Sequence, residues 1–422
     1  MSRVILHPGA LRGRRFVPPS KSAAHRALLC AGLAAGESTL SPIDHSADME
    51  ATLRVLAAFG AKARWEESTL HLTGTAATPQ DPATIDCGES GSTLRFCIPV
   101  AGALGLPATF TGRGRLPQRP LNTYLDLLPQ HGLLCESTGG LPLSIRGRLE
   151  PGVYTLAGDV SSQFITGLLF ALPLLAGDSE IYLTTPLQSA GYVEMTRRVQ
   201  SAFGVVSTPT ARGWRVPGRQ TYRARAFSVE RDWSQAAFLL AAGALGGDVT
   251  VLGLDPDTAQ GDRAIEPLLR EFGAALSWED GALTARPGPL HGIDIDAGQI
   301  PDLVPILAVV AALAKGRTRI YHAERLRIKE SDRLTAMRAG LAALGAQIEE
   351  RPDGLVIEGV SGLHGGQAAG YNDHRVVMAL AIAALRADGP VTVTDAEAVR
   401  KSWPSFFEDY NALGGNADVL MG

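Results

Sequence analysis

The chain has 422 residues, 45% of them hydrophobic and 19% charged, with a formal net charge of −4. That length and apolar content allow a large buried core, suggest two or three domains, and exclude a disordered chain. The slightly acidic balance excludes general nucleic-acid binding, so an anionic ligand has to be met by locally gathered cations.

The N-terminal stretch "MSRVILHPGALRGRR" has no long apolar segment, and no signal peptide is expected. From there the chain repeats itself. A helix end, a glycine and a short strand recur as "LAAFGAKARW", "LPQHGLLCES", "VQSAFGVVST", "LREFGAALSW", "LAALGAQIEE" and "YNALGGNADV". The glycines are Gly60, Gly132, Gly204, Gly273, Gly345 and Gly414, spaced by 72, 72, 69, 72 and 69 residues. Each stands where a helix C-cap needs the left-handed conformation.

Between these lies a second recurring unit, a polar opening followed by an Ala/Leu-rich segment. Its copies begin "SKSAAHRALLCAGLAAG", "ESGSTLRFCIPVAGALG", "SSQFITGLLFALPLLAG", "DWSQAAFLLAAGALGG", "PDLVPILAVVAALAKG" and "NDHRVVMALAIAALRADG". Helices this apolar on all sides are predicted to be buried. Each repeat then reads as buried helix, strand, outer helix, strand, turn, strand. "EDG" (279–281) and "PDG" (352–354) are signals for the closing hairpins. Six units divide into three plus three, which predicts an α/β fold of two similar domains. The alternative is an ordinary α/β chain whose helices happen to be spaced alike.

Cys30, Cys87, Cys97 and Cys135 form no CxxC and no His-rich ligand pattern, so they read as reduced and mostly buried, and a zinc site is not expected. The longest apolar run, 303–314, is too short to span a bilayer. Both features suit a cytoplasmic protein without a membrane anchor.

The polar openings carry the chemistry. A helix N-terminus exposes free N–H groups and attracts anions. The openings hold Lys21, Ser22, Gly91, Ser92, Ser161, Ser162, Gln163, Asp302, His374 and Arg375. Serine and aspartate there are ordinary caps. Lys21 and Arg375 are not, because that end disfavours cations, and a bound anion would remove the conflict. "RIKESDR" (327–333) shows the same conflict ahead of a helix predicted from Leu334, Met337, Leu341 and Leu344. Glu330 and Asp332 suit a helix start, whereas Lys329 and Arg333 do not. A solvated charged turn is the other reading of that stretch.

Nine stretches together resemble the 5-enolpyruvylshikimate-3-phosphate synthases, a family of enolpyruvyl transferases. They are "PPSKSAAHRAL", "CGESGSTLRF", "LPQRPL", "DVSSQFITGLL", "SAGYVEMT", "QIPDLVPILA", "RIKESDRL", "YNDHRVVMA" and "RKSWPSFFEDY", in order from residue 18 to residue 410. The resemblance implies an inside-out α/β barrel in each of two domains. The first would comprise residues 1–19 and 231–422, the second 20–230. A two-segment hinge near 19–20 and 229–231 would join them, with the active site in the cleft. It also implies transfer of the enolpyruvyl group of phosphoenolpyruvate (PEP) to the 5-hydroxyl of shikimate 3-phosphate, by addition to a tetrahedral intermediate and elimination of phosphate. No metal or organic cofactor, no nucleic acid and no membrane is implied, and the chain is expected to be a monomer.

The same resemblance distributes the residues. Lys21, Gly91, Arg119, Gln163, Arg333, Arg375 and Lys401 are expected around PEP, with Gly91 admitting a close approach of the backbone. Lys21, Ser22, Arg26, Ser161, Ser162, Gln163, Ser189, Tyr192, Asp302 and Lys329 are expected around shikimate 3-phosphate. Asp302 is the candidate base for the 5-hydroxyl, kept ionised by flanking cations. Glu330 is the candidate acid for the PEP methylene carbon, kept protonated near an anionic substrate, and Lys21 is a candidate participant in proton transfer.

Some positions depart from the common family pattern. Glu89 and Ser90 stand where many members have Asn and Ala, so Glu89 should point away from the ligand or pair with Arg95 or Lys401. That leaves PEP contacts and the response to glyphosate open. His25 replaces a frequent Asn and reads as a supporting polar group. Arg325 replaces a frequent Asn, either to meet the shikimate carboxylate or to extend the charged loop. Gly191 replaces a common Pro and would loosen the loop before Tyr192. Arg327 receives no role. The rivals are weaker. UDP-N-acetylglucosamine enolpyruvyl transferase usually carries a reactive Cys in the loop corresponding to 111–120, where this chain has none. A non-catalytic anion-binding relative would have lost Asp302, Glu330 or the cations. No GxxxxGK[ST] or GxGxxG follows a predicted strand.

Overall fold

Every repeat glycine takes the backbone conformation that its place in the pattern requires. Gly60, Gly132, Gly204, Gly273, Gly345 and Gly414 have φ between 85° and 105° and end six outer helical segments. The computed structural model describes residues 2–74 and 81–420. It divides into two units, Met1–Pro18 with Arg231–Gly422, and Pro19–Glu230.

Among the described residues there are six four-stranded sheets with one pairing plan. A leading strand pairs in parallel with the second, the second runs antiparallel to a third, and the third runs antiparallel to a fourth, with which it forms a hairpin in five of the six. In the sheet containing Asp294–Asp296, Arg317–Tyr321, Gln347–Arg351 and Gly354–Glu358, the parallel pair is Asp294–Asp296 with Arg317–Tyr321. Arg317–Tyr321 then pairs antiparallel with Gly354–Glu358, and that strand with Gln347–Arg351. The buried helix is the parallel crossover, and the outer helix joins the second strand to the hairpin. Both predicted hairpin turns are present. Asp280 and Gly281 have φ of 48° and 72°, the type I′ requirement, and Arg351 pairs with Gly354 around Pro352–Asp353.

The leading strands are the element that the repeat pattern omitted, so each unit has four strands rather than three. Several, such as Asp294–Asp296, Gly366–Ala368 and Ala226–Ser228, have three residues each, too short to show alternation. Some sheets also borrow strands from distant sequence. Ala226–Ser228 leads the sheet of Gly36–Ser41, and Arg12–Phe16 leads that of Asp248–Leu252. Arg3–Leu6 is the third strand of the last sheet, between Val391–Thr394 and Ala417–Leu420.

Burial of the crossover helices follows from their composition. Every residue of Trp233–Ala244 is buried, as are residues 304–312 of Val304–Leu313 and all of His374–Ala384. These helices form one core with the inward faces of the three surrounding sheets. In Pro19–Glu230 the helices Lys21–Gly32, Gly91–Leu104 and Ser162–Ala171 occupy the equivalent places. Among the described residues, no helix is long and apolar enough to cross a membrane.

The cap glycines differ in what surrounds them. A Cβ on Gly273 would lie 2.6 Å from the Pro289 carbonyl oxygen, whereas one on Gly414 would meet nothing closer than 3.9 Å. Gly414→Ala should therefore cost only the left-handed strain, about 1–2 kcal/mol, and Gly273→Ala clearly more, because backbone must also move. Thermal unfolding of the two variants should preserve that order. Equal losses would refute this account of the caps.

Candidate active site

In the unit containing residues 231–422, the candidate residues converge on one guanidinium. Arg333 opens the helix Arg333–Ala343, and its side chain is 1% exposed. Its Nε donates to Asp373 Oδ2 at 2.8 Å and its Nη1 to Asp302 Oδ1 at 2.9 Å. Its Nη2 donates to Glu330 Oε2 at 2.8 Å and to Asp373 Oδ1 at 3.3 Å. Burial opposes the charge of Arg333, but Asp373, Glu330 and Asp302 together push its pKa above the ordinary arginine range.

Asp302 lies in the short turn Pro301–Leu303 ahead of a buried helix. Burial opposes its ionisation, yet Arg375, Lys329 and Arg333 outweigh burial and the nearby Glu330, and hold its carboxyl well below the usual range. Arg375 Nη2 reaches Asp302 Oδ2 at 3.4 Å, its Nη1 reaches the Asp302 carbonyl at 3.3 Å, and Lys329 Nζ stands 3.7 Å from Oδ1. Asp302 is thus surrounded by cations that favour its carboxylate form. Glu330 shares the Arg333 guanidinium with Asp302, each on its own terminal nitrogen.

Several supporting groups escaped the sequence reading. Asp373 is fully buried, receives Arg333 and Ser331 Oγ (2.9 Å), and caps the helix His374–Ala384 by accepting from the Arg375 amide at 3.0 Å. Asp232 caps Trp233–Ala244 and accepts from Ser234 Oγ at 2.6 Å, while Ser234 accepts from Arg375 Nη2 at 2.9 Å. Both aspartates look like ordinary caps in sequence, and they are caps. Asp373 also holds Arg333 directly, and Asp232 is linked to Arg375 through Ser234. Lys401 is buried and donates to the Asn372 carbonyl at 2.6 Å. Arg325 donates to the Gly298 carbonyl at 2.8 Å.

In Pro19–Glu230 the openings of the three buried helices supply the other candidates. Ser20 caps Lys21–Gly32, Ser90 caps Gly91–Leu104 and Ser161 caps Ser162–Ala171. Ser22 lies in the first turn of the first helix and Ser162 in that of the third. The Lys21 conflict is resolved by protein: Asp48, in the first turn of Ala47–Ala58, accepts from Lys21 Nζ at 2.9 Å. A bound anion is thus not required to explain a cation at that helix start.

Arg26 is directed inward. Its Nε donates to Thr196 Oγ1 (2.8 Å), Nη1 to the Ser22 carbonyl (2.7 Å) and Nη2 to the Tyr192 carbonyl (2.9 Å). Burial pulls its pKa down to about 10, which leaves it charged at neutral pH. Arg26 therefore fixes the backbone beside two candidate residues. Ser189, just ahead of the helix Ala190–Ala202, is buried and adopts a left-handed conformation, φ 56° and ψ 45°. Gly191 lies inside that helix's first turn, not in a loop before it.

Gln163 is gripped from both ends. Its Oε1 accepts from Arg95 Nη1 at 2.7 Å, and its Nε2 donates to Ser92 Oγ at 3.0 Å. Arg95 also donates to the Pro120 carbonyl, next to Arg119. A Cβ on Gly91 would fall 2.5 Å from Arg119 Nη1, so the glycine makes room for that guanidinium. The Glu89 carboxylate lies against Gly114, where a Cβ would fall 2.5 Å from Oε2. His25 is buried, with Nδ1 2.8 Å from Thr52 Oγ1. Thr52 in turn meets Thr93 at 2.8 Å, and Thr93 meets Ser90 at 2.8 Å. Burial, then Lys21 and Arg26, hold His25 well below its usual pKa, so it serves as a neutral hydrogen-bonding group.

All four cysteines are unpaired, three of them buried and Cys135 partly so. Among the described residues, no group of three or more His, Cys, Asp or Glu is placed to hold a metal ion.

The model of the EPSP synthase (3-phosphoshikimate 1-carboxyvinyltransferase) family matches residues 5–410. A 3-phosphoshikimate 1-carboxyvinyltransferase of Clostridium kluyveri is 44% identical over 420 residues, covering 99% of each chain. One from Clostridioides difficile is 43% identical over 431 residues, again 99% of each. Among solved structures, an EPSP synthase from Acinetobacter baumannii superposes with a TM-score of 0.84 at 26% identity, covering 100% of both chains. The enolpyruvyl transferase NikO from Streptomyces tendae, at 18% identity and a TM-score of 0.81, shares the fold. Matches of this length and identity establish that the chain belongs to the EPSP synthase family.

Proposed function

We infer that this chain transfers the enolpyruvyl group of PEP to the 5-hydroxyl of shikimate 3-phosphate, releasing inorganic phosphate. The observation that carries the reading at the level of residues is the Arg333 cluster. One buried guanidinium holds Asp302 on Nη1 and Glu330 on Nη2. A base and an acid are thereby set on adjacent nitrogens of a rigid group.

In the addition step, the 5-hydroxyl oxygen bonds to C2 of PEP and its proton passes to Asp302. Glu330 gives a proton to the methylene carbon, which becomes a methyl group. In the elimination step, Glu330 takes back a proton from the methyl group, the C2–O bond to phosphate breaks, the departing phosphate carries off the proton held by Asp302, and the enol ether forms. Asp302 is suited to the base role because its cations keep it ionised. A substrate anion arriving at Arg333 competes with Glu330 for the guanidinium, which makes proton uptake by Glu330 easier.

Lys21, Gly91, Arg119, Gln163, Arg333, Arg375 and Lys401 are assigned to PEP. Lys21, Ser22, Arg26, Ser161, Ser162, Gln163, Ser189, Tyr192, Asp302 and Lys329 are assigned to shikimate 3-phosphate. Arg26 also steadies that second set through the carbonyls of Ser22 and Tyr192. The reaction uses side chains alone, and we place the enzyme in the cytoplasm as a monomer without nucleic-acid or membrane partners.

Phosphate release from PEP should depend on shikimate 3-phosphate and should not occur with UDP-N-acetylglucosamine. The reverse preference would overturn the assignment. Asp302→Asn should lower kcat roughly a hundredfold or more while both substrates still bind. Near-normal turnover would remove Asp302 from the base role. Its ion pairs stabilise the fold at neutral pH and weaken only as pH falls through the depressed folded-state pKa. The stability gap between the wild type and Asp302→Asn should therefore narrow only below about pH 4. Gly91→Ala should displace the Arg119 guanidinium and raise the KM for PEP roughly tenfold, since a charged hydrogen bond is at stake. An unchanged KM would show that Arg119 does not bind PEP.

A further inference from the structure

The turn that carries Lys329 and Glu330 is bracketed by a second set of charges that the proposed reaction does not use. Arg327 Nη1 donates to Asp332 Oδ2 at 3.0 Å and to Glu350 Oε1 at 2.6 Å. Its Nε donates to the Pro352 carbonyl at 3.1 Å and its Nη2 to the Arg351 carbonyl at 2.7 Å. All three guanidinium nitrogens are thus engaged, and two of their partners are main-chain carbonyls of a hairpin turn.

The arrangement closes a ring. Asp332 Oδ1 caps the helix Arg333–Ala343 by accepting from the Thr335 amide at 3.2 Å, and Thr335 Oγ1 donates to Glu350 Oε1 at 3.0 Å. The Arg327–Asp332 pair therefore ties the two ends of a segment whose interior is Ile328, Lys329, Glu330 and Ser331. Within it, Glu330 and Ser331 are directed to the Arg333–Asp373 cluster and Lys329 to Asp302. Closing so short a loop removes most of its alternative conformations. Glu350 and the two carbonyls then anchor the closed loop to the hairpin formed by Gln347–Arg351 and Gly354–Glu358.

The bracket is partly buried, with side-chain exposures of 29% for Arg327, 33% for Asp332 and 22% for Glu350. An exposed ion pair alone would contribute little. A planar fork held against two carboxylates and two carbonyls is a geometric device, which a lysine would not reproduce.

We propose that Arg327 is a positioning residue. By bridging Asp332 and Glu350 and gripping the Arg351 and Pro352 carbonyls, it fixes the turn that presents Lys329 and Glu330. This rests on the role proposed above for Glu330.

The test uses the full chain with PEP and shikimate 3-phosphate. Arg327→Met should lower kcat roughly ten- to a hundredfold, as expected for a displaced reacting group, and Arg327→Lys should recover only a minor part. Combined with Glu330→Gln, Arg327→Met should add little further loss, because the group it positions is already disabled. Unchanged kcat in Arg327→Met, or losses that simply add in the double variant, would overturn the proposal. Hydrogen exchange over residues 327–333 gives a readout that does not depend on the reaction. Exchange there should quicken in Arg327→Met, and in the milder Glu350→Gln should the first variant fail to fold, with the buried helices unchanged. Unaltered exchange in the turn would also overturn it. Quickened exchange in a chain whose wild type shows no turnover would sink the functional reading and leave the bracket standing.

Discussion

Arg333 carries a full positive charge into the interior of its unit, and the surrounding residues answer to that. Taking a guanidinium out of water costs several kcal/mol unless the lost hydration is replaced by partners of good geometry. Asp373 meets one edge of the fork, and Asp302 and Glu330 meet the two terminal nitrogens. Removing one partner from such a cluster typically costs about 3–5 kcal/mol, because the remaining charge is stranded. The same requirement that keeps the core intact thus places the candidate base and acid at a set spacing. On the proposed reading, stability and chemistry share one side chain.

The same economy appears in Pro19–Glu230, with smaller groups. Asp48 holds Lys21, Arg95 and Ser92 hold the Gln163 carboxamide, and Arg26 holds the carbonyls of Ser22 and Tyr192. Each candidate residue is held, by side chain or by backbone, through a neighbouring polar group. Preorganisation of this kind is what allows a polar site to bind without first reordering itself.

Much of this architecture could be read from the sequence. The repeat glycines marked every outer helix end, and the all-apolar helices marked the core, because both signals are local and recur. The leading strands were missed because a three-residue strand shows no alternation, and because Arg12–Phe16 and Ala226–Ser228 pair with partners far along the chain. In the site, the cations stood out because they sit badly on helix starts. Their partners did not, because Asp232 and Asp373 already had a sufficient explanation as caps. A carboxylate that caps one helix and pairs with a cation from another looks, in sequence, like a cap alone. Arg327 was illegible for the related reason that Glu350 and the 351–352 carbonyls come from the next hairpin.

The way the helix-start conflict is resolved alters how anion binding should be understood. A lysine or arginine at a helix N-terminus invites the inference of a ligand, yet here protein carboxylates already satisfy Lys21, Arg333 and Arg375. Affinity for an anionic substrate is then a difference between the hydrogen bonds it forms with the cations and those the carboxylates give up. A small monovalent anion replaces one such bond by another of the same kind, so it has little advantage. A phosphate or carboxylate that engages a guanidinium through two oxygens forms more than it displaces. Carboxylates released by that exchange are left beside fewer cations and take up protons more readily. On the proposed reading, because Glu330 shares Arg333 with Asp302 and Asp373, a substrate anion that engages Arg333 would also loosen Glu330. Asp302 has Lys329 and Arg375 beside it as well, so its carboxylate does not depend on Arg333 alone.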